Sequence, residues 1–522
     1  MIRNEIKKII QKAAKSKAEI RVEYPANPAM GDYATNIAFV VAKSEKKNPK
    51  DISRALADKI LSDKKAQKMF EKVEAAGAGF VNFTLSAEFV QAQLKDVRGS
   101  TPHINIGRGK KLNIEFLSAN PTGKFQVGNG RIGFYGDALG NIFKLAGYKV
   151  TKEFYINNAK NSNQIQELGK TALGEGEKYL TPYVGNKVKE LKTKLTGSDP
   201  VNFGEVGFLL AQEIQKDNQA FLEKIGINFD AWTREEEDLV ESGLIKKILE
   251  FLKKKSLVYK KDGAEWLKTT EFGDDKDKVV VRSNGGHGYY LADIAYHQNK
   301  IKRNFKVIID IFGSDHQGHV GPMKVAMEIL GYTGKFDVLV SQLVRAKGGG
   351  KFSKRAGNIV LLEDLVEEVG VDAVRFFYLA KSLDTQMEFD MDLAREQSAK
   401  NPVYYVQYAH ARMASILHKA QKNRESRIEN QELLNHPSEL RLIKEVLRWP
   451  EVVEDTANDY QLQRVTGYAY DLATVFNQFY RDCKVISDDN NMTEARLGVV
   501  FATQKILLEV LGTLGISAPD KM

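Results

Sequence analysis

The chain has 522 residues, a net charge of +9 and a single cysteine, Cys483. Its length suits about three domains. One cysteine excludes an internal disulfide framework and any zinc site built on cysteines, and eight scattered histidines give no reason to expect a metal-binding set. No run of 18 apolar residues occurs and the N-terminus lacks the apolar core of a signal peptide. We therefore expect a cytoplasmic protein that does not enter a membrane.

The first hundred residues are unusually basic, with 19 Lys and Arg against 12 Asp and Glu, so +7 of the net charge of +9 lies in this fifth of the chain. Apolar spacing predicts helices over residues 3–18 and 51–61, a strand over 20–24, a further helix opening at 31–36, and a glycine turn into a strand within 75–83. Residues 1–105 are thus predicted to form a small α+β domain. Its charge suggests a polyanionic partner, although on charge alone a solvated charged surface is the more common explanation.

Strands alternate with helices over residues 106–390, which predicts a doubly wound parallel sheet of the Rossmann type. A strand (112–117) runs into a turn rich in Ser, Asn, Pro and Gly, and a helix (128–145) follows. Gly128 and Gly130 let the backbone approach a phosphate at the helix N-terminus, and an ordinary strand-to-helix connection is the alternative. Residues 160–255 are polar and helical and are interpreted as an insertion between the halves of the sheet.

A second apolar strand, predicted over 308–312, ends at Gly313, Asp315 and His316. Ligands of such sheets bind where strands end, so these polar residues are candidates for a binding site. Beyond residue 390 helical spacing continues to the C-terminus, and residues 391–522 are predicted to form an all-α bundle. Tyr404, Tyr405 and Tyr408 in this bundle are able to stack on nucleic-acid bases, but such a stripe is more often part of a core.

Two stretches resemble the signatures of a known family. Residues 118–123, Ser-Ala-Asn-Pro-Thr-Gly, followed by Gln126-Val-Gly-Asn-Gly-Arg131, resemble the first signature of class I aminoacyl-tRNA synthetases in the form used by arginyl-tRNA synthetases. Lys351-Phe-Ser-Lys-Arg355 resembles the second signature, the Lys-x-Ser-Lys loop. The first signature of the family reads His-x-Gly-His, and this chain has Gln126 and Asn129 at the two histidine positions.

The resemblance implies an arginine–tRNA ligase that uses ATP with Mg²⁺ to activate L-arginine and then transfers it to tRNA(Arg). It also implies a tRNA-contacting N-terminal domain, an anticodon-binding C-terminal bundle and a monomer. The implied catalytic residues are Gln126, Asn129, Lys351 and Lys354. The implied ATP-binding residues are Gly128, Gly130, Gly313, Asp315, His316 and Ser353. The implied arginine-binding residues are Glu115, Asn120, Tyr289, Asp293 and Gln317. The implied tRNA-binding residues are Asn36, Tyr404 and Tyr408, and no metal ligand is implied.

Elementary chemistry supports one of these assignments. A planar guanidinium is best received by a carboxylate as a bidentate fork. Asp293 follows Tyr289 by four residues, so the two share one face if residues 289–300 are helical, and the ring is then placed to hold the aliphatic part of the substrate.

Two other interpretations stay open at this point. A catalytically silent synthetase-like protein that binds tRNA or nucleotide would explain the loss of both signature histidines. A nucleotidyltransferase with the same sheet and no tRNA would leave the two flanking domains without a role.

Overall fold

The protein is described from a computed structural model, which describes residues 1–16, 18–98, 104–191, 202–349, 360–420 and 429–522. The N-terminal part is an antiparallel sheet covered by helices, in the order β1-β2-β4-β3. Its strands are β1 (Val22–Glu23), β2 (Tyr33–Thr35), β3 (Phe70–Ala76) and β4 (Phe80–Leu85). Its helices are Ile2–Ala14, Ile37–Glu45, Pro49–Leu61, Lys64–Met69 and Ala87–Leu94. The α+β prediction for this part is confirmed.

The helix predicted to open at residue 31 begins later, at Ile37. Gly31 lies against the backbone of Phe83 with φ of +102°, where a side chain would collide with the Phe83 carbonyl. The Asp32 N–H donates to that same carbonyl at 2.7 Å. The chain therefore enters the sheet as β2 before it turns helical.

The central part contains a five-stranded, fully parallel sheet in the order β12-β11-β5-β6-β7. The strands of this part are β5 (Lys111–Glu115), β6 (Lys149–Ile156), β7 (Ala231–Arg234), β8 (Val258–Lys261), β9 (Ala264–Leu267), β10 (Lys278–Val281), β11 (Val307–Gly313), β12 (Lys335–Ser341), β13 (Val344–Ala346) and β14 (Met387–Phe389). Strand order reverses between β5 and β11, and ligands of such sheets bind at that crevice. The predicted parallel, doubly wound class is confirmed.

Helices cover the sheet and lead into its strands. They are Val127–Leu145, Asn163–Ala172, Pro182–Glu190, Phe203–Lys224, Leu244–Lys254, Tyr289–Lys302, Val320–Ile329, Leu362–Val369, Val371–Leu379 and Met391–Arg395, with a π-helix at Glu235–Glu241. The segment 160–255 is not wholly an insertion as predicted. Its helices between residues 163 and 224 share a small core of their own, but residues 231–234 form β7 at the edge of the main sheet.

The C-terminal part is a helical bundle, as predicted. Its long helices are Pro402–Lys419, Pro437–Asp459, Gln463–Asp482 and Asn490–Leu514. The last of these is the only described helix long and apolar enough to cross a membrane, but 67% of its apolar window is buried inside the protein. It is therefore the core helix of the bundle. The domain boundaries at residues 105 and 390 stay predictions.

Candidate active site

The first motif forms a sharp turn at the carboxyl end of β5. Leu117 adopts a left-handed backbone with φ of +70°, which turns the chain away from the sheet. The helix then begins at Val127, where the Gln126 N–H donates to the Asn129 side-chain oxygen at 2.8 Å. Because the side-chain oxygen of Asn129 accepts this hydrogen bond, its NH₂ group remains available to donate to a ligand. Gln126 itself is exposed.

The segment that follows the second motif pairs with the first motif. The Val127 N–H donates to the Val360 carbonyl at 3.1 Å, and the Leu362 N–H donates to the Phe125 carbonyl at 2.9 Å. The second-motif residues themselves, Lys351, Ser353 and Lys354, lie outside the described residues. The described chain resumes at Val360, and Leu361 pairs with Gln126.

The ammonium group of Lys124 does not face the helix N-terminus. It forms an ion pair with Glu363, in the first turn of the helix that follows the second motif, and lies 5.2 Å from the ring centre of Tyr183. Lys124 therefore connects the first motif to the helix Leu362–Val369, and its charge is already paired with a carboxylate.

The two predicted phosphate-binding glycines have different surroundings. Gly128 is exposed and no atom lies within 4 Å of where a Cβ would stand. Gly130 is buried, and a Cβ there would lie 2.5 Å from the Leu362 side chain and 3.1 Å from the Tyr378 ring. Packing inside the protein thus explains the glycine at 130, while Gly128 faces open space.

The predicted residues at the end of β11 lie on the neighbouring strand of the crevice. Asp315, His316 and Gln317 are exposed in a short turn after Gly313. A Cβ at Gly313 would lie 3.9 Å from the Ile132 side chain of the signature helix. The tip of β11 and the first motif thus face one another.

Asp293 lies on the helix Tyr289–Lys302, one turn after Tyr289 and on the same face of the helix. Its carboxylate makes no hydrogen bond with the described residues. Burial raises the pKa of Asp293 to about 7, the charge of His297 opposes this, and the charges of Glu235, Glu115 and Asp310 add to it. An unpaired carboxylate with other acidic groups nearby binds a guanidinium group strongly through electrostatic attraction. Tyr289 is partly exposed and donates to Gln164 at 2.7 Å, and Asn120 is exposed.

Several acidic and basic groups of this pocket were not identified from the sequence. The Glu235 side chain is buried, with one oxygen unpartnered and the other 3.3 Å from His287. It opens a π-helix, a feature that often marks functional sites. The sequence did contain one signal for these groups, namely Asp310 inside the apolar strand β11. A carboxylate buried in such a strand requires a buried partner. Its partners are His297 and Lys300.

The predicted tRNA-binding tyrosines lie on the bundle helix Pro402–Lys419. Tyr408 is 40% exposed, its ring is parallel to that of half-buried Tyr404 at 6.4 Å, and the Arg412 guanidinium lies 4.7 Å from its centre. The same guanidinium lies 5.3 Å from the ring of Tyr480. Tyr408, Arg412 and Tyr480 line a cavity of about 1020 Å³, which Lys484 and Lys521 also line. Asn36, on the N-terminal domain, is exposed and does not cap its helix with its side chain.

Comparison with known proteins identifies the family. The chain is 41% identical over 531 residues to the arginine–tRNA ligase of Moorella thermoacetica, covering 96% of this chain and 93% of the relative. The chain belongs to the arginyl-tRNA synthetase family. It is also 38% identical over 534 residues to the corresponding ligase of Dehalococcoides mccartyi, with 97% and 94% coverage. The predicted family and its ligase activity are thereby confirmed.

Family models match three regions of this synthetase. They are the arginyl-tRNA synthetase N-terminal domain at residues 1–85, the class I (R) catalytic domain at 157–414 and the DALR anticodon-binding domain at 406–522. Arginyl-tRNA synthetase structures from Thermus thermophilus (TM-score 0.82, 22% identity) and Plasmodium falciparum (TM-score 0.81, 19% identity) share the fold. The first covers 100% of both chains, the second 100% of this chain and 99% of its own.

Proposed function

We propose that the protein activates L-arginine with ATP and transfers it to the 2′-hydroxyl of the terminal adenosine of tRNA(Arg), in the cytoplasm. The observation that carries the assignment of the amino-acid site is the unpaired carboxylate of Asp293, held beside the crevice between β5 and β11. A substrate with a fixed positive charge would form an ion pair with this carboxylate and neutralise the excess negative charge of the pocket. Arginine is always protonated at neutral pH, so it supplies that charge without a proton transfer.

Arginine is held at both ends. Asp293 receives the guanidinium, the ring of Tyr289 lies along the aliphatic part, and the unpartnered oxygen of Glu235 supplies a second acceptor. At the other end of the pocket, the Glu115 carboxylate accepts from the α-amino group and the Asn120 amide donates to the carbonyl oxygen. Gln317 completes this set on the tip of β11.

The first chemical step joins the arginine carboxylate to the α-phosphorus of ATP and expels pyrophosphate. Little covalent work falls to the protein, which must align the reactants and stabilise charge on phosphate oxygens. The amide donors of Gln126 and Asn129 serve this purpose, together with the backbone at Gly128 and the side chains of Lys351 and Lys354. Gly130, Gly313, Asp315, His316 and Ser353 are assigned to the same nucleotide on family resemblance.

Mg²⁺ is proposed to enter with ATP rather than to occupy a site of its own. Among the described residues no group of three or more His, Cys, Asp or Glu side chains is placed to hold a metal ion. Mg²⁺ commonly binds through substrate phosphates, water and one or two carboxylates, and exposed Asp315 fits that limited role.

In the second step the terminal 2′-hydroxyl of the tRNA attacks the arginyl carbonyl and AMP leaves. Two surfaces are proposed to hold the tRNA. The cavity at Tyr408, Arg412 and Tyr480 offers aromatic faces and positive charge to the bases of the anticodon loop. The basic N-terminal domain, which carries exposed Asn36, contacts another part of the same tRNA, and the protein acts as a monomer.

Arginine-dependent exchange of pyrophosphate into ATP, measured with and without tRNA(Arg), tests the proposal. Exchange with arginine and not with lysine or citrulline is expected, with tRNA increasing the rate. Citrulline has nearly the shape of arginine but lacks its charge, so comparing the two substrates isolates the contribution of the ion pair with Asp293 to binding. Absence of exchange in the presence of full-length tRNA would instead favour a silent tRNA-binding protein.

A further inference from the structure

The helix that carries Asp293 continues into a second set of buried polar groups. Lys300, two turns further along, is completely buried. Its ammonium group donates to the Glu115 carboxylate at 2.6 Å and to the Asp310 carboxylate at 2.8 Å. The other oxygen of Asp310 is 2.8 Å from His297 Nε2, and His297 Nδ1 is 2.8 Å from the backbone carbonyl of Asp293.

These contacts form one continuous connection between the two ends of the amino-acid pocket. Glu115, at the tip of β5, is bound through Lys300, Asp310 and His297 to the helical turn that carries Asp293. Every side chain of the connection has less than a tenth of its surface exposed. Ser118 holds the remaining Glu115 oxygen at 2.9 Å, so the orientation of that carboxylate is fixed on both sides.

We propose that Lys300 is a positioning residue for arginine, which holds Glu115 as an oriented, charged acceptor for the α-amino group at a fixed distance from Asp293. The inference rests on the proposed assignment of Glu115 and deepens it. Lys300 does not touch the substrate. By fixing the distance between Glu115 and Asp293, it lets the pocket select arginine by the distance between its α-amino group and its guanidinium group.

The charge balance around Glu115 explains why a lysine is required. The titratable groups that face Glu115 are Lys300 and His297, the carboxylates of Asp310 and Asp293, and the phenols of Tyr155 and Tyr296. Burial raises the pKa of Glu115, and Lys300 is the strongest opposing influence. Without its ammonium group, the pKa of Glu115 would rise further, and the protonated carboxyl would lose the charge that attracts the α-amino group.

The test compares Lys300→Met with the wild-type protein in pyrophosphate exchange with tRNA present. The KM for arginine is expected to rise about tenfold or more, because a protonated Glu115 no longer attracts the α-amino group. The KM for ATP should not change, and the acidic limb of kcat/KM for arginine should move to higher pH. Lys302→Met, the same change at an exposed position of the same helix, is the matched control.

A substrate analogue locates the effect within the pocket. δ-Guanidinovaleric acid is arginine without its α-amino group, and its Ki as a competitive inhibitor should be the same for Lys300→Met and the wild type. Asp293→Asn should weaken the binding of arginine and of this analogue alike. Glu115→Gln should reproduce the Lys300→Met pattern, and combining the two variants should add little. Equal loss of arginine and the analogue in Lys300→Met would overturn the proposal, since Lys300 would then only maintain the fold.

Removing a fully buried charge can prevent folding, so a charge-balanced variant is included. Lys300→Met combined with Asp310→Asn removes one positive and one negative charge and is measured in the same way, with circular dichroism as the check on folding. Retention of wild-type discrimination between arginine and the analogue in this variant would also overturn the proposal. A wild-type protein without arginine-dependent exchange would refute the proposed function instead, which keeps the two failures distinct.

Discussion

Asp293 shows how a single residue sets the specificity of the pocket. Asp293→Asn keeps the shape of the side chain and removes the charge that pairs with the guanidinium. We expect the KM for arginine to rise by an amount equivalent to about 2–5 kcal/mol of lost binding, with the KM for ATP unchanged. Steady-state pyrophosphate exchange measures both constants. An unchanged KM for arginine would place the specificity pocket elsewhere.

The raised pKa of Asp293 also predicts a pH dependence. The pKa rises from 3.8 to about 7 in the free protein, so arginine must bind the deprotonated form or displace the proton. The kcat/KM for arginine should therefore fall as pH drops through about 7, with this limb absent in Asp293→Asn. Arginine binding measured by calorimetry near neutral pH should release protons, and a pH-independent affinity would contradict the assignment.

The same shift links function to stability. Between the unfolded value of 3.8 and the folded value of about 7, the folded state holds a proton that the unfolded state releases. Stability contributed by this group is therefore lost as pH rises through that range. Asp293→Asn should raise the free energy of unfolding above pH 7 by up to about 4 kcal/mol and have little effect in acid. Denaturant unfolding at the two pH values tests this, and a destabilised variant above pH 7 would be inconsistent with an unpaired carboxylate.

Gln126 and Asn129 replace the histidines of the family signature, and the structure indicates how to separate their roles. Loss of one donor to a developing oxyanion costs about 3–4 kcal/mol, whereas one neutral donor replaced by another costs much less. Gln126→Ala and Asn129→Ala should thus lower kcat more than they raise the KM for ATP. Asn129→Asp keeps the oxygen that accepts from the Gln126 N–H, so helix stability should survive while kcat falls.

Restoring both histidines is the complementary measurement for this pair. Because histidine adds a possible positive charge, the Gln126→His, Asn129→His protein should be at least as fast as the wild type. A wild type without exchange, together with an active double-histidine protein, would identify a silent binder with a decayed motif.

Among the secondary-structure elements, those with a strong local pattern were predictable from the sequence. The strand at 307–313 and the helix at 127–145 were placed within one residue because an apolar run and a glycine-rich turn mark them. The four-residue strand β7 was missed because it is short and lies at the edge of the sheet, where tertiary pairing decides. The pairing of residues 125–127 with 360–362 was equally invisible, because nothing local encodes a contact between segments more than 200 residues apart.

The same distinction applies to the site. Asp293 and Tyr289 were assigned from the family resemblance, and helical spacing supported the pair. Lys300 and His297 have the spacing of ordinary helix-surface residues, and only their contacts with Asp310 reveal their role. The tyrosines of the bundle illustrate the converse. A core role was favoured from spacing alone, yet Tyr408 is exposed and lies against Arg412.

The Tyr408 surface gives a prediction at the scale of one helix. If bases stack there, Tyr408→Ala should weaken tRNA(Arg) binding by about 1–3 kcal/mol and leave the KM for ATP unchanged. Tyr470→Ala is a matched control, because Tyr470 is 42% exposed against 40% for Tyr408 and does not line the cavity. Titration with a fluorescent anticodon stem-loop measures the effect, and equal losses for both variants would place the RNA elsewhere.

At the scale of the whole molecule, the two proposed tRNA-binding domains are joined directly. Arg3, on the first helix, forms a double hydrogen bond with Asp455 at 2.5 and 2.9 Å, and its backbone N–H donates to Glu451 at 2.8 Å. The Glu451 carboxylate is 1% exposed and also accepts from the hydroxyls of Tyr24 and Tyr33. The N-terminal domain is thereby fixed to the helix Pro437–Asp459 of the bundle.

This junction predicts a long-range effect on tRNA binding. Two surfaces held in one arrangement bind a single tRNA with a high effective concentration, which is lost when the surfaces move independently. Glu451→Ala removes the acceptor at the centre of the junction and leaves Arg3 partly unpaired. It should lower the free energy of unfolding by about 3–5 kcal/mol. It should also weaken binding of full-length tRNA(Arg), although Glu451 has too little exposed surface to contact RNA.

The anticodon stem-loop separates this effect from a damaged binding surface. Its affinity should be the same for Glu451→Ala and the wild type, because a fragment that engages one domain gains nothing from the junction. Glu74→Ala is the control, since it breaks an exposed ion pair with Lys72 on the same domain and should change neither quantity. Full-length tRNA that binds Glu451→Ala as tightly as the wild type would mean that the two domains engage the tRNA without a fixed arrangement between them.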